Sequence, residues 1–165
     1  MSKITYANKV AINENAEISD INKVTDNDMN EIKTVVNNND DELITINTNL
    51  TNATTYSTDE IRIGTWIDGK PIYRKVVQIN GLPNNTETTY QTGIINGETI
   101  KYDGFLSLSE SDSGLQHMPY LSPYSSTGNV YYWVRKDATY IHIKTGADRS
   151  SSSAYIIIEY TKTTD

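Results

Sequence analysis

The sequence contains no cysteine and only two histidines among its 165 residues. The absence of cysteine excludes disulfide bonds, thiolate metal sites and cysteine nucleophiles. No apolar run approaches the roughly 18 residues of a membrane span. The first residues also lack the apolar stretch of a secretory signal. We therefore expect a soluble chain with no membrane partner.

Basic residues are in the minority, with 14 Lys and Arg against 21 Asp and Glu and a net charge of −7. Proteins bind nucleic acid largely by neutralising its phosphates, so we expect no nucleic-acid partner. Asn (17) and Thr (21) together supply 38 residues, a composition that favours exposed strands and turns over a catalytic pocket. We predict that the chain is not an enzyme and uses no cofactor.

The N-terminal third differs in composition from the rest of the chain. Residues 1–55 hold four basic and nine acidic side chains, and Tyr6 is their single aromatic residue. A segment this polar does not bury enough apolar surface to form its own core. It is better interpreted as a tail, a linker or an oligomerisation element. We predict a docking segment over residues 1–28, of which the part through Asn22 is extended or partly disordered until something docks it.

Apolar residues from Met29 onward alternate in spacings of three and four, which predicts a helix over residues 29–50 with a heptad seam. Leu at position a with Ile at position d favours three or four strands over two. The stripe is narrow and contains one amide, as in coiled coils, although a single helix packed on its own domain is the alternative. The seam consists of Met29, Ile32, Val36, Asn39, Leu43, Ile46 and Leu50.

Three heptads rich in Asn and Thr are marginal alone, since helix nucleation is costly and these residues are mediocre helix formers. The helices of such a coiled coil must therefore be held together by contacts between later parts of the chains. At Asn39, three amides on a trimer axis would form a hydrated layer that fixes the register. The alternative, which we favour less, is that the three amides bind an anion on the trimer axis.

We predict a linker over residues 51–58. From Tyr56 onward the spacing of apolar residues changes to the two-residue alternation of a β-strand. Turn pairs such as Asp68-Gly69 and Asn96-Gly97 separate the short runs. About seven strands in residues 59–165 predict an antiparallel β-sandwich or jelly-roll-like head. The strands are expected from residue 61 and at 72–79, 88–95, 98–107, 130–136, 140–144 and 155–161. We predict a loop over residues 110–129.

Three stretches resemble segments of tailed-bacteriophage fibre and appendage proteins. YSTDEIRIGTWIDGKPIYRK at residues 56–75 is similar to a stretch that recurs in small phage structural proteins. DINKVTDNDMNEIK at residues 20–33 resembles their attachment-and-neck segment, and AYIIIEYTK at residues 154–162 resembles their last strand. The three cover under a third of the chain.

This resemblance implies a homotrimer within the virion, either a tail fibre or a head fibre. Its N-terminus would dock on a capsid or tail protein, and its β head would project outward for host attachment. The sequence has no β-helical shaft, so the resemblance implies a short fibre or one part of a larger appendage. A capsid or tail decoration protein that recognises nothing is the first alternative.

The aromatic residues supply the candidate receptor-binding surface. In strand 130–136, alternation places Tyr131, Trp133 and Arg135 on one face, and such residues stack on sugar rings and dominate binding energies. Tyr120 and Tyr124 in the preceding loop complete the set. The alternative is that these aromatics fill the core and subunit interfaces, because the chain has a single Phe. The absence of a basic patch favours a neutral glycan or a protein over teichoic phosphate, and the glycan would belong to the host cell surface.

No catalytic or metal-binding motif stands out. His117 and His142 are most simply surface residues, and no metal site is predicted. A depolymerase would need a carboxylate pair in a groove, for which Asp103, Asp112 and Asp137 are the candidates. A bacterial-surface carbohydrate-binding module is a further alternative, but it gives no reason for the heptads.

Overall fold

One helix and eight strands account for most of the residues that the computed structural model describes, which are 26–108, 115–122 and 126–164. The prediction of a mainly β chain with an N-terminal helix is confirmed. The chain divides into two units, Met1–Leu50 and Thr51–Asp165. Of the predicted docking segment 1–28, residues 1–25 lie outside the described residues.

Helix α1 spans Asp26–Thr54, so it begins three residues before the predicted helix and includes four residues predicted as linker. Acidic residues in its first turn suit the positive end of the helix dipole. The hydroxyls of Thr34, Thr45 and Thr48 each donate to the backbone carbonyl four residues earlier, at 2.9–3.0 Å. These bonds satisfy the hydroxyls without leaving the helical conformation, which explains how a threonine-rich segment continues.

Arg74 lies in the strand Pro71–Asn80, and its side chain contacts the C-terminal end of α1. The last turn contains no basic residue of its own. The Arg74 guanidinium instead donates to the carbonyl oxygens of Ala53 at 3.0 Å and Thr55 at 3.4 Å. A cation at the C-terminal end satisfies free carbonyls and stabilises the helix dipole.

The strands form two antiparallel sheets. The five-stranded sheet has the order β1-β2-β8-β4-β5 and the three-stranded sheet the order β3-β7-β6. The strands are β1 Ile61–Thr65, β2 Pro71–Asn80, β3 Glu87–Gln91, β4 Gly97–Ser107, β5 Leu115–His117, β6 Val130–Val134, β7 Tyr140–Thr145 and β8 Ser153–Lys162.

A single hydrophobic core contains side chains from both sheets. Strand β8 supplies Ala154, Ile156, Ile158 and Tyr160, all fully buried. Opposite them, β6 and β7 supply apolar residues at every second position, namely Val130, Val134, Ile141 and Ile143. The two-residue period of a strand sends alternate side chains to opposite faces, so each sheet has one core face and one outer face.

Two details of the strand prediction are wrong. The third strand ends at Gln91, because Thr92 turns the chain and its hydroxyl donates to the carbonyl oxygen of Ala138 at 2.6 Å. The predicted loop 110–129 contains a short strand, β5, which pairs with β4 at the sheet edge. A three-residue strand offers too few positions for alternation to be recognised.

Truncation of Ile156 should destabilise the β unit strongly. Its side chain is fully buried in β8, between β2 and β4. We expect Ile156→Ala to lower the free energy of unfolding by about 3 kcal/mol, because a cavity remains in the core. Ile67→Ala is the control, since Ile67 is 93% exposed in the β1–β2 turn and should change stability by about 0.5 kcal/mol at most. Urea unfolding measures both, and equal losses would contradict the assigned core.

Glu60, just before β1, is bound to the end of β8. Its carboxylate accepts hydrogen bonds from the Tyr160 hydroxyl and from Lys162 Nζ, the latter at 2.5 Å. Burial raises the pKa of Glu60, but these hydrogen bonds and the lysine charges outweigh that effect and lower it. Burial and the bond to Glu60 raise the pKa of Tyr160, which therefore stays a neutral donor.

This contact should make stability depend on pH in the acidic range. A carboxyl with a lowered folded pKa stabilises the fold fully above its ordinary value of 4.5, and that contribution is lost as the pH falls through the folded value. We expect Glu60→Gln to lower the urea midpoint at pH 7 and to match the wild type more closely at pH 3. An equal difference at both pH values would show that the Glu60 charge contributes nothing.

Candidate functional site

The outer face of the three-stranded sheet carries polar and aromatic side chains and no aliphatic residue. Paired residues on antiparallel strands point to the same side, so the register defines rows across the sheet. The central row consists of Thr89, His142 and Trp133. We call the whole face the platform. Strand β3 contributes Glu87, Thr89 and Gln91, and β7 contributes Tyr140, His142 and Lys144. Strand β6 contributes Tyr131 and Trp133, and Arg135 follows directly after the end of β6.

Trp133 lies at the centre of the platform's edge strand. Its indole stacks on the His142 imidazole, with ring centroids 4.9 Å apart and planes 6° apart. The side chain remains 38% exposed. His142 covers one face of the indole, and β6 is the edge strand of its sheet. More than a third of the Trp133 side chain is therefore exposed and could contact a ligand.

The orientation of His142 is set by two neighbours on β3. Its Nδ1 atom lies 3.3 Å from Glu87 Oε1 and 3.3 Å from Thr89 Oγ1. A carboxylate only accepts hydrogen bonds, so the contact with Glu87 forms when Nδ1 carries the proton. Nε2 of the neutral ring is then an acceptor. The imidazole is thereby fixed, and it fixes the indole stacked on it.

Arg135 is held at one end of the platform by the turn that joins β6 and β7. Its Nη2 atom lies 3.0 Å from Asp137 Oδ2, and its guanidinium carbon lies 5.7 Å from the centre of the Tyr140 ring. Asp137 accepts hydrogen bonds from the hydroxyl and the backbone N–H of Thr139, which lower the pKa of this carboxyl. Asp137 is therefore ionised near neutral pH and keeps Arg135 in place.

Tyr131 lies at the other end of β6 and is 43% exposed. Its hydroxyl accepts a hydrogen bond from Asn129 Nδ2 at 3.0 Å. Together with Trp133 it gives a row of aromatic rings along the edge strand. Same-face residues on a strand are about 6.7 Å apart, so a ligand of several linked rings could contact both.

The platform suits the recognition of a polyhydroxylated ligand. Aromatic faces bind the apolar C–H surface of sugar rings, and side chains with planar polar groups bind the hydroxyls. The lysine and arginine of the platform have anionic neighbours, since Lys144 lies opposite Glu87 in the strand register and Arg135 lies beside Asp137. The described residues include no group of three or more His, Asp or Glu side chains that could hold a metal ion.

The structure brings three of the five predicted receptor-binding residues together. Tyr131, Trp133 and Arg135 share the outer face. Tyr120 does not, because it forms an isolated bridge with Val130 and packs, half-buried, against the core. Tyr124 lies outside the described residues.

Several platform residues were not identified as site residues from the sequence. His142 was interpreted as a plain surface residue, but it stacks on Trp133. The alternation of Tyr140, His142 and Lys144 with buried isoleucines was the available signal. Glu87 and Thr89 join the site through the pairing of β3 with β7, which no local pattern reveals.

The carboxylates considered for hydrolysis have structural partners. Asp103 accepts a hydrogen bond from the backbone N–H of Gly104 at 2.8 Å and lies 3.5 Å from Nδ1 of His117. Asp137 holds Thr139 and Arg135. Asp112 lies outside the described residues.

The predicted oligomerisation residues lie along α1. Apolar seam residues from Ile32 to Leu50 are exposed, and the polar seam residue Asn39 is exposed as well. Met29, at the start of the seam, is partly buried. No helix among the described residues is long and apolar enough to span a bilayer.

The chain matches no protein-family model, no curated protein and no solved structure.

Proposed function

We propose that this protein is a short homotrimeric fibre of a tailed-phage virion, which binds a glycan on the host surface through the platform. The observation that carries the attachment function is Trp133, exposed at a sheet edge and fixed in orientation by His142 and Glu87. Trp133 lies in one row with Tyr131 on a polar sheet face, and partly exposed aromatic residues of this kind are frequent binding anchors. The fibre identity itself comes from the resemblance of residues 20–33, 56–75 and 154–162 to phage appendage proteins.

The proposed layout is an N-terminal docking segment, a coiled-coil neck on α1 and a jelly-roll-like head. An exposed apolar stripe with Leu at a and Ile at d supports the trimeric neck. Eight strands in two sheets support the head, since the chain passes from one sheet to the other at β2–β3, β3–β4, β5–β6 and β7–β8. Double-sheet jelly rolls share this kind of connection.

The charge of the platform supports a neutral glycan as the ligand. Lys144 and Arg135, the lysine and arginine of the platform, are matched by the carboxylates of Glu87 and Asp137, so these four residues sum to zero and offer no net positive charge to a phosphate polymer. The net charge of −7 would repel an anionic polymer as well. Hydrogen bonding and stacking remain as the means of recognition.

Two measurements on the full chain test the proposal. Light scattering should give a mass three times 18.5 kDa, and a monomeric mass would overturn the trimeric fibre. An array of bacterial surface polysaccharides probed with the labelled chain should then show binding to a neutral polymer. A trimer that binds no polysaccharide and no susceptible cell would favour the decoration protein.

A further inference from the structure

The outer face of the five-stranded sheet differs in chemistry from the platform. In the register of β2, β8 and β4, its central row consists of Val76, Ile157 and Asp103. The next row contains Tyr155 and Phe105. Val76, Ile157, Tyr155 and Phe105 are partly buried, yet none of them packs in the core. A sheet face turned to water normally carries polar residues at such positions.

Charged residues surround this apolar centre in equal numbers of each sign. Arg74 and Glu159 form an ion pair of 2.8 Å, and the register places Lys101 beside Glu159 and Asp103 beside Ile157. These four residues sum to zero, whereas the whole chain carries a charge of −7. Two copies of this face therefore approach each other without the repulsion expected between other parts of the surface.

A recess of about 70 Å³ opens beside the apolar centre, lined by residues that include Tyr56, Phe105, Ile157 and Glu159. Its size matches a small side-chain group rather than a glycan or cofactor, whose pockets are about 300–1,000 Å³. The recess therefore suits a side chain from another protein surface.

The end of α1 is fixed on the same sheet. Arg74, in the row next to Val76, donates to the Ala53 carbonyl, and its guanidinium carbon lies 4.7 Å from the centre of the Tyr56 ring. Residues 51–54 are the last turn of the helix that carries the heptad seam.

We infer that the outer face of the five-stranded sheet is a subunit interface whose occupant is a second copy of this chain. Three heptads with this composition are too weak to hold a trimer, so the head must contribute contacts. The face around Val76, Ile157, Tyr155 and Phe105 has an apolar centre and balanced charges at its margin. The inference rests on the trimer of the proposed function, and it leaves the platform free for the ligand.

Ile157→Lys in the full chain tests this interface. Thr89→Lys is the matched control, since Thr89 is a β-branched residue on the platform side of the other sheet. Light scattering at about 10 μM should give the trimer mass for the wild type and Thr89→Lys. Ile157→Lys should give a monomer, because three charged lysine side chains would replace the apolar contact at the centre of the proposed interface. Circular dichroism establishes that the variant retains its β structure.

Ile157→Thr provides a second variant in case the lysine prevents folding. It keeps a β-branched side chain and removes only apolar contact, so we expect dissociation at a concentration at least tenfold higher than for the wild type. A trimer of unchanged mass and concentration dependence in both variants would overturn the interface and leave the fibre proposal standing. A monomeric wild type would overturn both. Glycan binding by the platform is measured separately and bears on neither result.

Discussion

Trp133→Ala should weaken binding to the proposed glycan ligand about 30-fold or more, which corresponds to about 2 kcal/mol. The indole is partly exposed, and His142 stacks on one of its faces. Its removal therefore takes away both the stacking surface and the order that His142 and Glu87 impose. Loss of one such aromatic anchor is a large fraction of the affinity in any interface dominated by a few residues.

Trp66, the other tryptophan of the chain, provides a matched control. Trp66 lies beside the β1–β2 turn and is 37% exposed, against 38% for Trp133. Trp66→Ala should leave glycan binding unchanged, because that residue lies outside the platform. His142→Ala should weaken binding less than Trp133→Ala, since it leaves the indole present but free to rotate. Titration of each full-length variant against the polysaccharide found on the array measures these effects. If both tryptophan variants bind like the wild type, the platform is not the attachment site.

Leu43→Asp should shift the proposed trimer to a monomer at micromolar concentration. Leu43 occupies position a of the seam, so three carboxylates would meet at the axis of the neck. A buried, unpaired charge costs several kcal/mol, and about 4 kcal/mol raises a dissociation constant about a thousandfold. Light scattering across a concentration series gives the result directly.

The adjacent residue tests whether the heptad register is correct. Ile44 is 52% exposed and Leu43 is 55% exposed, but Ile44 falls at position b and lies outside the seam. Ile44→Asp makes the same chemical change one residue away and should leave the trimer intact. If the two variants dissociate equally, the seam is not the neck interface. If neither dissociates, the head alone holds the trimer.

The repeat patterns of the sequence were enough to predict the mainly β class, the helix and most of the strands. Helix and strand periods are local, because they follow from the 3.6-residue turn and the two-residue pleat. The same local rule places Tyr131 and Trp133 on one face of β6. It also separates His142 from Ile141 and Ile143, although the sequence alone gave no reason to regard that histidine as part of a site.

Contacts between distant segments required the tertiary structure. His142 meets Trp133 on one side and Glu87 on the other only because β7 lies between β3 and β6 in one particular register. A shift of one residue would send His142 to the core face, and no local pattern specifies the pairing partner. Glu60 and Tyr160 are a hundred residues apart in the chain, and Arg74 caps a helix that ends twenty residues earlier.

The sequence by itself therefore determined which side chains share a face, and the tertiary structure decided which faces come together. The first depends on backbone geometry within a few residues, which the amino-acid pattern encodes directly. The second depends on long-range strand pairing and on the packing of two sheets around one core. That is why Trp133 could be proposed from its strand alone, while the residues that hold it in place could not.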